Sequence, residues 1–361
     1  MTALSKCGWT GSGAQFVDRS TPIPAHLVGR KRILITGAGG SIGSELARAA
    51  AECEPAEILL MDAAEQALYQ IDRTLAVPHV PILANVCDGV ALEEVFERYR
   101  PHIVFHAAAF KHVALMEAHP FAAVENNTIG TFTLAQTVLR YGVEQFVLVS
   151  SDKAVDPAGI MGASKRVAEL TALALQASGT KIKAVRLGNV YGSQGSAVPL
   201  FQEQIAQGGP ITVTDAEATR YFLSLQRAAE LLLFALSEGL PGSVLVPELA
   251  GPVRIEEIAR HLMEQSGSEL EIVYTGLRPG EKLHERLLSD DEALLGEPGM
   301  TLRPIRSKQI SRDEAERVIG TLERAVRERD LSGMLREVTR LVPTYRPSET
   351  ILALQPAECR V

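Results

Sequence analysis

Short apolar, β-branched runs alternate with segments of helical period through the first half of the chain. The runs are Arg32-Ile-Leu-Ile-Thr36, Glu57-Ile-Leu-Leu-Met61, Pro81-Ile-Leu-Ala84, Ile103-Val-Phe-His106, Phe146-Val-Leu-Val149 and Ile182-Lys-Ala-Val-Arg186. Most are apolar at consecutive positions rather than at every second one, as expected of strands covered on both faces. Strand–helix alternation predicts right-handed crossovers and an α/β fold with a doubly wound parallel sheet. Beyond Asn189 the pattern loosens, with Gly-, Ser- and Pro-rich stretches at 192–199 and 208–210. We divide the chain into an N-terminal arm (1–28) and a sheet core (29–190, completed by a strand near 243–248). The remainder (191–345) is expected to be mainly a smaller C-terminal cap, interleaved with the core. Such a cap would lie over the carboxyl ends of the strands, where these folds bind ligands. The charged tail opens on a capping box, Ser311 with Glu314, and continues with apolar residues at helical spacing.

Composition narrows the class. A chain of 361 residues, 46% hydrophobic and 22% charged, can bury a sizeable core and fits an ordinary globular enzyme. A net charge of −8 argues against nucleic acid or an anionic membrane surface as the main partner. Cys7, Cys53, Cys87 and Cys359 are scattered with no CxxC pair, which fits a reduced, cytoplasmic setting. No apolar run approaches the ~18 residues of a membrane span, and residues 1–28 lack the basic-then-apolar layout of a signal peptide. The longest run, Leu231–Leu236, has helical period and is expected in the core. His102, His106 and His112 straddle a strand and its following loop, so no metal site is expected.

Two stretches carry chemistry. Thr36-Gly37-Ala-Gly39-Gly40-Ser41-Ile42-Gly43 follows the first strand and opens a helix. Gly37 permits the tight turn, Gly40 the approach of backbone amides to a pyrophosphate, and Gly43 close helix–sheet packing. The helix N-terminus then faces the negative charge. Asp62, ending the second strand, can accept bonds from ribose hydroxyls and would repel a 2′-phosphate, so NAD is favoured over NADP. Asn85-Val86 should edge the adenine, and Ala107, Ala108 and Ala109 should meet the cofactor through backbone. The second stretch, Ser150-Ser151-Asp152-Lys153, follows the strand Gln145–Val149 and precedes Met161-Gly-Ala-Ser-Lys165. It sets a hydroxyl, a carboxylate and an amine at the mouth of the sheet, with a second lysine one turn into the next helix.

With these words placed, the chain resembles the extended short-chain dehydrogenase/reductase superfamily, built on a Rossmann sheet. Within it, the chain is similar to the nucleotide-sugar 4,6-dehydratase branch of bacterial polysaccharide-biosynthesis proteins, typified by UDP-N-acetylglucosamine 4,6-dehydratases. The resemblance runs from about Gly29 to Pro347. Further matching words are Ala107-Ala-Ala-Phe-Lys-His-Val113, Leu115-Met-Glu117, Asn126-Asn-Thr-Ile-Gly-Thr131, Arg186-Leu-Gly-Asn-Val190, Thr219-Arg-Tyr-Phe222 and Gly276-Leu-Arg-Pro-Gly-Glu-Lys282. Departures are Asn85 where an aspartate is usual, His284 where a tyrosine is common, and an altered segment at 247–252. Many members carry an N-terminal membrane region, and this chain is expected to be their cytosolic catalytic part standing alone.

The resemblance implies oxidation of a sugar C4 hydroxyl, loss of the C5 proton, expulsion of the C6 hydroxyl as water, and hydride return to C6. Lys153 is then the base at C5 and Asp152 the acid at the departing hydroxyl. Burial, Lys165 and the nicotinamide charge are expected to drive the Lys153 amine neutral, with one proton shared inside the Asp152–Lys153 pair. Lys165 should hold the nicotinamide ribose. Its usual tyrosine partner is replaced by Met161, which cannot take a proton, so Ser151 is the preferred relay from the C4 hydroxyl. Lys111 and Asn126 join the cofactor contacts. His112, Asn189, Val198, Pro199, Phe201, Arg220, Arg278 and Glu281 are expected to grip a UDP-sugar, the arginines at the diphosphate and Val198–Phe201 beside the base. A homodimer through helices at roughly 126–140 and 162–176 is implied. Epimerisation on the same fold, or cofactor binding without catalysis, are the alternatives.

Overall fold

A computed structural model of the chain describes residues 23–297 and 299–354. Most of the predicted arm, with Cys7, and the tail with Cys359 lie outside the described residues. The arm's last residues are not loose: Ala25–Val28 form a helical turn, α1, which seats the fully buried Val28 in the core. Among the described residues, nine strands share one sheet. Its first six are β1 (Arg32–Thr36), β2 (Glu57–Asp62), β3 (His79–Leu83), β4 (Ile103–His106), β5 (Gln145–Ser151) and β6 (Lys181–Leu187). They run parallel in the order 3-2-1-4-5-6. Ser243–Pro247 adds in parallel to β6, and Leu302–Arg306 and Ala293–Leu294 follow antiparallel. The predicted doubly wound sheet is therefore present, and the strand order reverses between β1 and β4, which opens a crevice at their carboxyl ends.

Apolar residues on both faces of these strands are capped by two cores, except in the edge strand β3, whose residues are half-buried or exposed. One joins Ile33, Ile35, Ile58 and Leu60 to α2 (Ser41–Ala51) and the helix Leu225–Phe234. The other joins Leu34, Leu59, Val104 and Phe146 to α4 (Gly89–Tyr99), introduced after α3 (Glu65–Asp72). Each fully buried Leu or Ile contributes about 1.5–3 kcal/mol, so consecutive apolar positions select this two-sided cover over an exposed sheet.

A smaller layer lies over the strand ends. The helices Ala197–Ala206 and Ile255–Ser266 pack with the strands Ile211–Val213 and Ile272–Tyr274 around Val198, Phe201, Ile211, Ile258 and Leu262. Of the span 191–345, the stretch from Leu302 onward packs on the sheet core instead.

After β4 the chain forms α5 (Val113–Ala118), α6 (Pro120–Val124), a π-helical turn (Glu125–Gly130) and α7 (Thr131–Arg140), and after β5 it forms α8 (Ile160–Leu173). The helices α7 and α8 cover most of the ranges expected to form a dimer interface. Yet the outer side of α8 is already covered: Val167 and Leu170 pack with Val318, Leu322, Met334 and Leu335 of the C-terminal helices Arg312–Glu328 and Leu331–Leu341. Nearly every α8 residue is buried within this one chain. The amphipathic tail thus covers one side of α8, one of the two helices through which the resemblance implies a homodimer. Ser311 caps it as predicted, accepting from the Glu314 amide.

Candidate active site

The crevice is a cleft of about 670 Å³ between sheet and cap. Its sheet wall begins at the glycine-rich turn. Gly37 has φ +68°, and a Cβ there would stand 2.6 Å from the Ala108 amide nitrogen, so the β1 and β4 loops meet only because this position is bare. At Gly43 a Cβ would lie 2.1 Å from the Gly37 carbonyl oxygen, which lets α2 start against the turn. No side chain caps α2. Its first amides therefore face the cleft beside Gly40 and Ser41, an arrangement that suits an anion.

Asp62 fixes this loop from the side, its carboxylate accepting from the Gly39 and Ala64 amides, both at 2.9 Å. Gly39 itself is turned away from the cleft onto Ala67 of α3. Ala107, Ala109, Lys111 and His112 line the cleft, whereas Ala108 sits behind Gly37. Asn85 and Val86 stand off it. Asn85 is exposed and spends its side-chain oxygen on the Cys87 amide at 2.9 Å, while Val86 is buried under Gly130. Asn126 also misses the cleft lining, since the π-helical turn directs it to Asn127. Asn127 is the buried member, bridging the Phe110 backbone and the Ser164 hydroxyl. Such bulges recur at functional sites, but nothing in a six-residue word announces one.

The three histidines go to three places. His102 accepts the Arg32 amide, and His112 lies in the cleft against Gly195. His106 is fully buried between the Thr36 and Thr131 hydroxyls, at 2.7 and 2.8 Å. Thr131 gives its proton to the Asn127 carbonyl, which makes His106 Nε2 the donor and Nδ1 the acceptor. Burial, then the Lys165 charge, push its pKa down to about 3, so it is neutral.

At the cleft floor β5 ends in Ser151, and a 3₁₀ turn carries Asp152–Ala154. Ser151 accepts the Lys153 amide and donates to Asp152 Oδ1 at 2.8 Å. Lys153 Nζ lies 3.0 Å from Asp152 Oδ1, 2.8 Å from Asn189 Oδ1 and 3.7 Å from Glu285 Oε1. Asp152 is fully buried and its Oδ2 has no hydrogen-bond partner among the described residues. Met161 lines the cleft one turn before Lys165, whose Nζ donates to the Val149 carbonyl at 2.6 Å. The closeness of α8 to this turn rests on Gly162, where a Cβ would be 2.1 Å from the Lys153 carbonyl oxygen.

The expected charge state of Lys153 is reversed. Burial does press its pKa down, but Asp152 and Glu285 together outweigh that and raise it, with Arg220 opposing. Burial does depress Lys165, to about 8, with Glu169 opposing, and also lowers Lys111 in the same cleft. Sequence reasoning missed Glu285, although it stands in the run Glu281-Lys-Leu-His-Glu285 that continues a matching word. It also missed Glu117, a buried carboxylate that accepts the Ile160 amide at the start of α8 and the Ser348 hydroxyl.

The cap side is more occupied than expected. Arg220 lines the cleft but donates to the carbonyls of Thr219, Lys282 and Leu283, so it braces the 282–285 segment. Arg278 and Glu281 both line the cleft and pair with each other, at 2.6 Å. Phe201 and Leu200 face the cleft, whereas Val198 turns into the cap's own core and Pro199 is not part of the lining. The loop 191–196 crosses the opening: the Gln194 amide reaches Ser41 Oγ, and its carbonyl receives Lys111.

A parallel sheet of this order, a glycine turn at its switch point and Ser-Asp-Lys at its floor agree with residues 33–299 matching the family described as Polysaccharide biosynthesis protein. The chain belongs to that family. It is 43% identical to the capsular polysaccharide biosynthesis protein CapD of Staphylococcus aureus over 73% of this chain and 46% of that protein. It is 44% identical to the probable polysaccharide biosynthesis protein EpsC of Bacillus subtilis over 78% and 48%. The chain thus spans about half the length of these relatives. A protein of Rickettsia rickettsii named UDP-glucose 4-epimerase is 32% identical over 73% of this chain and 79% of its own. Among solved structures, Pen from Bacillus thuringiensis superposes with a TM-score of 0.72 at 26% identity, covering 81% of this chain and 98% of that one. The dTDP-glucose 4,6-dehydratase DesIV from Streptomyces venezuelae, with NAD and TYD bound, gives 0.64 at 22% identity, covering 71% and 88%, a likeness of fold. The fold is that of the extended short-chain dehydrogenase/reductase enzymes. Among the described residues, no helix is long and apolar enough to cross a membrane.

Proposed function

We propose that this protein is an NAD-dependent nucleotide-sugar 4,6-dehydratase, converting UDP-N-acetylglucosamine to a UDP-4-keto-6-deoxy sugar. The observation that carries this reading is the Asp152–Lys153 ion pair directly after Ser151, in which Lys153 lines the cleft with Ser151 and Lys165 while Asp152 is fully buried. A 4-epimerase needs no acid–base pair aimed at C5 and C6. The uncapped start of α2, the bare Gly37 turn and Asp62 suit an adenine dinucleotide lacking a 2′-phosphate. Bound there, such a cofactor would take up a hydride and later return it.

The protein's own share is proton handling. Ser151, already donating to Asp152, can accept the C4 hydroxyl proton and pass its own along, a role Met161 leaves vacant. Lys153 resting as an ammonium must first lose a proton to solvent, and the Asp152 carboxylate, hydrogen-bonded by Ser151 at 2.8 Å, then receives the C4 proton through that relay. The pair is then a neutral amine and a neutral acid. The amine takes the C5 proton, made acidic by the C4 ketone. The acid protonates the departing C6 oxygen, which leaves as water. Lys153 is then ammonium and Asp152 carboxylate, and as C6 regains its hydride the ammonium gives its proton back to C5, which leaves amine and carboxylate ready for the next turnover.

The test is to incubate purified protein with UDP-N-acetylglucosamine in heavy water and follow the product by proton NMR. A new C6 methyl signal is expected, abolished in Asp152→Asn and Lys153→Ala. Near-normal dehydration in either variant would overturn the assignment. The second reading, a UDP-sugar 4-epimerase, is favoured by the Rickettsia relative, whose own length the chain covers better than it covers CapD or EpsC. It predicts a C4 epimer with no methyl signal.

A further inference from the structure

Glu285 reaches the catalytic lysine from a different part of the chain than Asp152 does. Its side chain is 3% exposed, lines the cleft, and stands 3.7 Å from Lys153 Nζ through one oxygen. The other oxygen lies 2.8 Å from Lys282 Nζ, which also donates to the Val155 carbonyl just past the catalytic turn. The segment holding Glu285 is itself fixed. Arg220 grips the Lys282 and Leu283 carbonyls, the Thr219 amide donates to Leu283, and the Thr219 hydroxyl bonds His284 Nδ1. A carboxylate held this firmly in a nearly dry site is costly unless its charge is used.

We infer that Glu285 is a positioning residue for the reaction: with Asp152 it clamps the Lys153 ammonium between two carboxylates, and its charge sets the pH above which Lys153 can act as a base. The clamp has defined geometry, since Asp152 and Asn189 hold Nζ within hydrogen-bond reach and Glu285 stands opposite as the outer charge. The charged groups acting on Lys153 are Asp152 and Glu285, which favour its cation, and Arg220, which opposes it. Those acting on Glu285 are Lys153, Lys282 and Arg220, and together they keep it ionised against its burial. Glu285 therefore supplies a negative charge from the cap side of the cleft, on the segment that also carries Arg278 and Glu281.

The inference rests on the dehydratase reading for what Lys153 does, but not for what Glu285 does to Lys153. The experiment separates the two. In Glu285→Gln, the acidic limb of kcat against pH should move down by about one pH unit, as loss of an opposite charge at this range predicts, while KM changes less than threefold. Glu285→Asp keeps a charge but withdraws it, and should move the limb in the same direction by less. Should only the aspartate variant fold, its smaller shift carries the test. Independently of turnover, lysine labelled with 13C at Cε, with the Lys153 signal assigned by Lys153→Arg, should titrate at lower pH in both variants than in the wild type. An unmoved Lys153 titration and an unmoved limb would overturn the inference. A moved titration in a protein that never dehydrates the sugar would leave it standing and sink the dehydratase reading instead.

Discussion

Replacing Gly162 by alanine would test how the Asp152–Ala154 turn is held. A Cβ there would lie 2.1 Å from the Lys153 carbonyl oxygen and 3.0 Å from the Lys153 carbonyl carbon. Both are backbone atoms, so no side chain can swing aside. Ordinary contact needs more than 3 Å, and the turn or the helix must therefore move by about an ångström. Alanine favours a helix by about 1 kcal/mol over glycine, while overpacking costs about 1–3 kcal/mol. The net loss of stability is about 0–2 kcal/mol, small enough to leave a folded protein. Displacement of Lys153 by about an ångström should lower kcat by about 10²-fold, because Nζ is aligned by bonds of 2.8 and 3.0 Å to Asn189 and Asp152. Melting temperature, kcat and NADH affinity are measured together. A folded Gly162→Ala protein with kcat within twofold of wild type would refute the claim that this contact sets the turn.

Two further predictions concern buried polar groups behind the site. Arg186 is fully buried and makes paired bonds to Glu169 (2.9 and 2.9 Å) and Glu292 (2.6 and 2.9 Å), with Ser150 at 2.6 Å completing Glu169. Arg186→Met would leave two buried carboxylates at the back of β5 with Arg166 as their one remaining cation (2.8 Å from Glu169, 3.4 Å from Glu292) and should cost about 3–5 kcal/mol, read as the change in urea midpoint at pH 7. Burial alone would raise Glu169, but the Arg186 charge prevails and holds it down at about 2, so its share of stability is present above pH 4.5 and lost as pH falls toward 2. His106 has a folded pKa of about 3 against 6.5, so the unfolded chain binds the extra proton between those values. Wild-type stability should therefore decline as pH falls below 6.5, and His106→Gln should flatten that part of the curve in denaturation series run from pH 7 to 4.

Much of this protein is written locally. The strand runs from Arg32 to Arg186 needed only consecutive apolar side chains to declare themselves, and the structure places strands at each, buried on both faces except at the edge strand β3. Gly37 and Gly43 were legible because a turn into a helix leaves room for nothing larger, and Ser151-Asp152-Lys153 because it follows such a strand directly. What sequence left open depends on charges and surfaces brought together from afar. The Lys153 pKa is raised rather than lowered because Asp152 beside it and Glu285, distant along the chain, together outweigh burial, and local order cannot show the second of these charges. Arg278 and Glu281 were read as two hands for a ligand, yet a turn of chain sets them on each other. Likewise, the sequence of α8 does not show that the amphipathic tail, Arg312–Leu341, buries Val318, Leu322 and Leu335 against it. Apolar pattern states that a face must be covered, since exposure to water is unfavourable whatever the partner. Only the tertiary structure states by what.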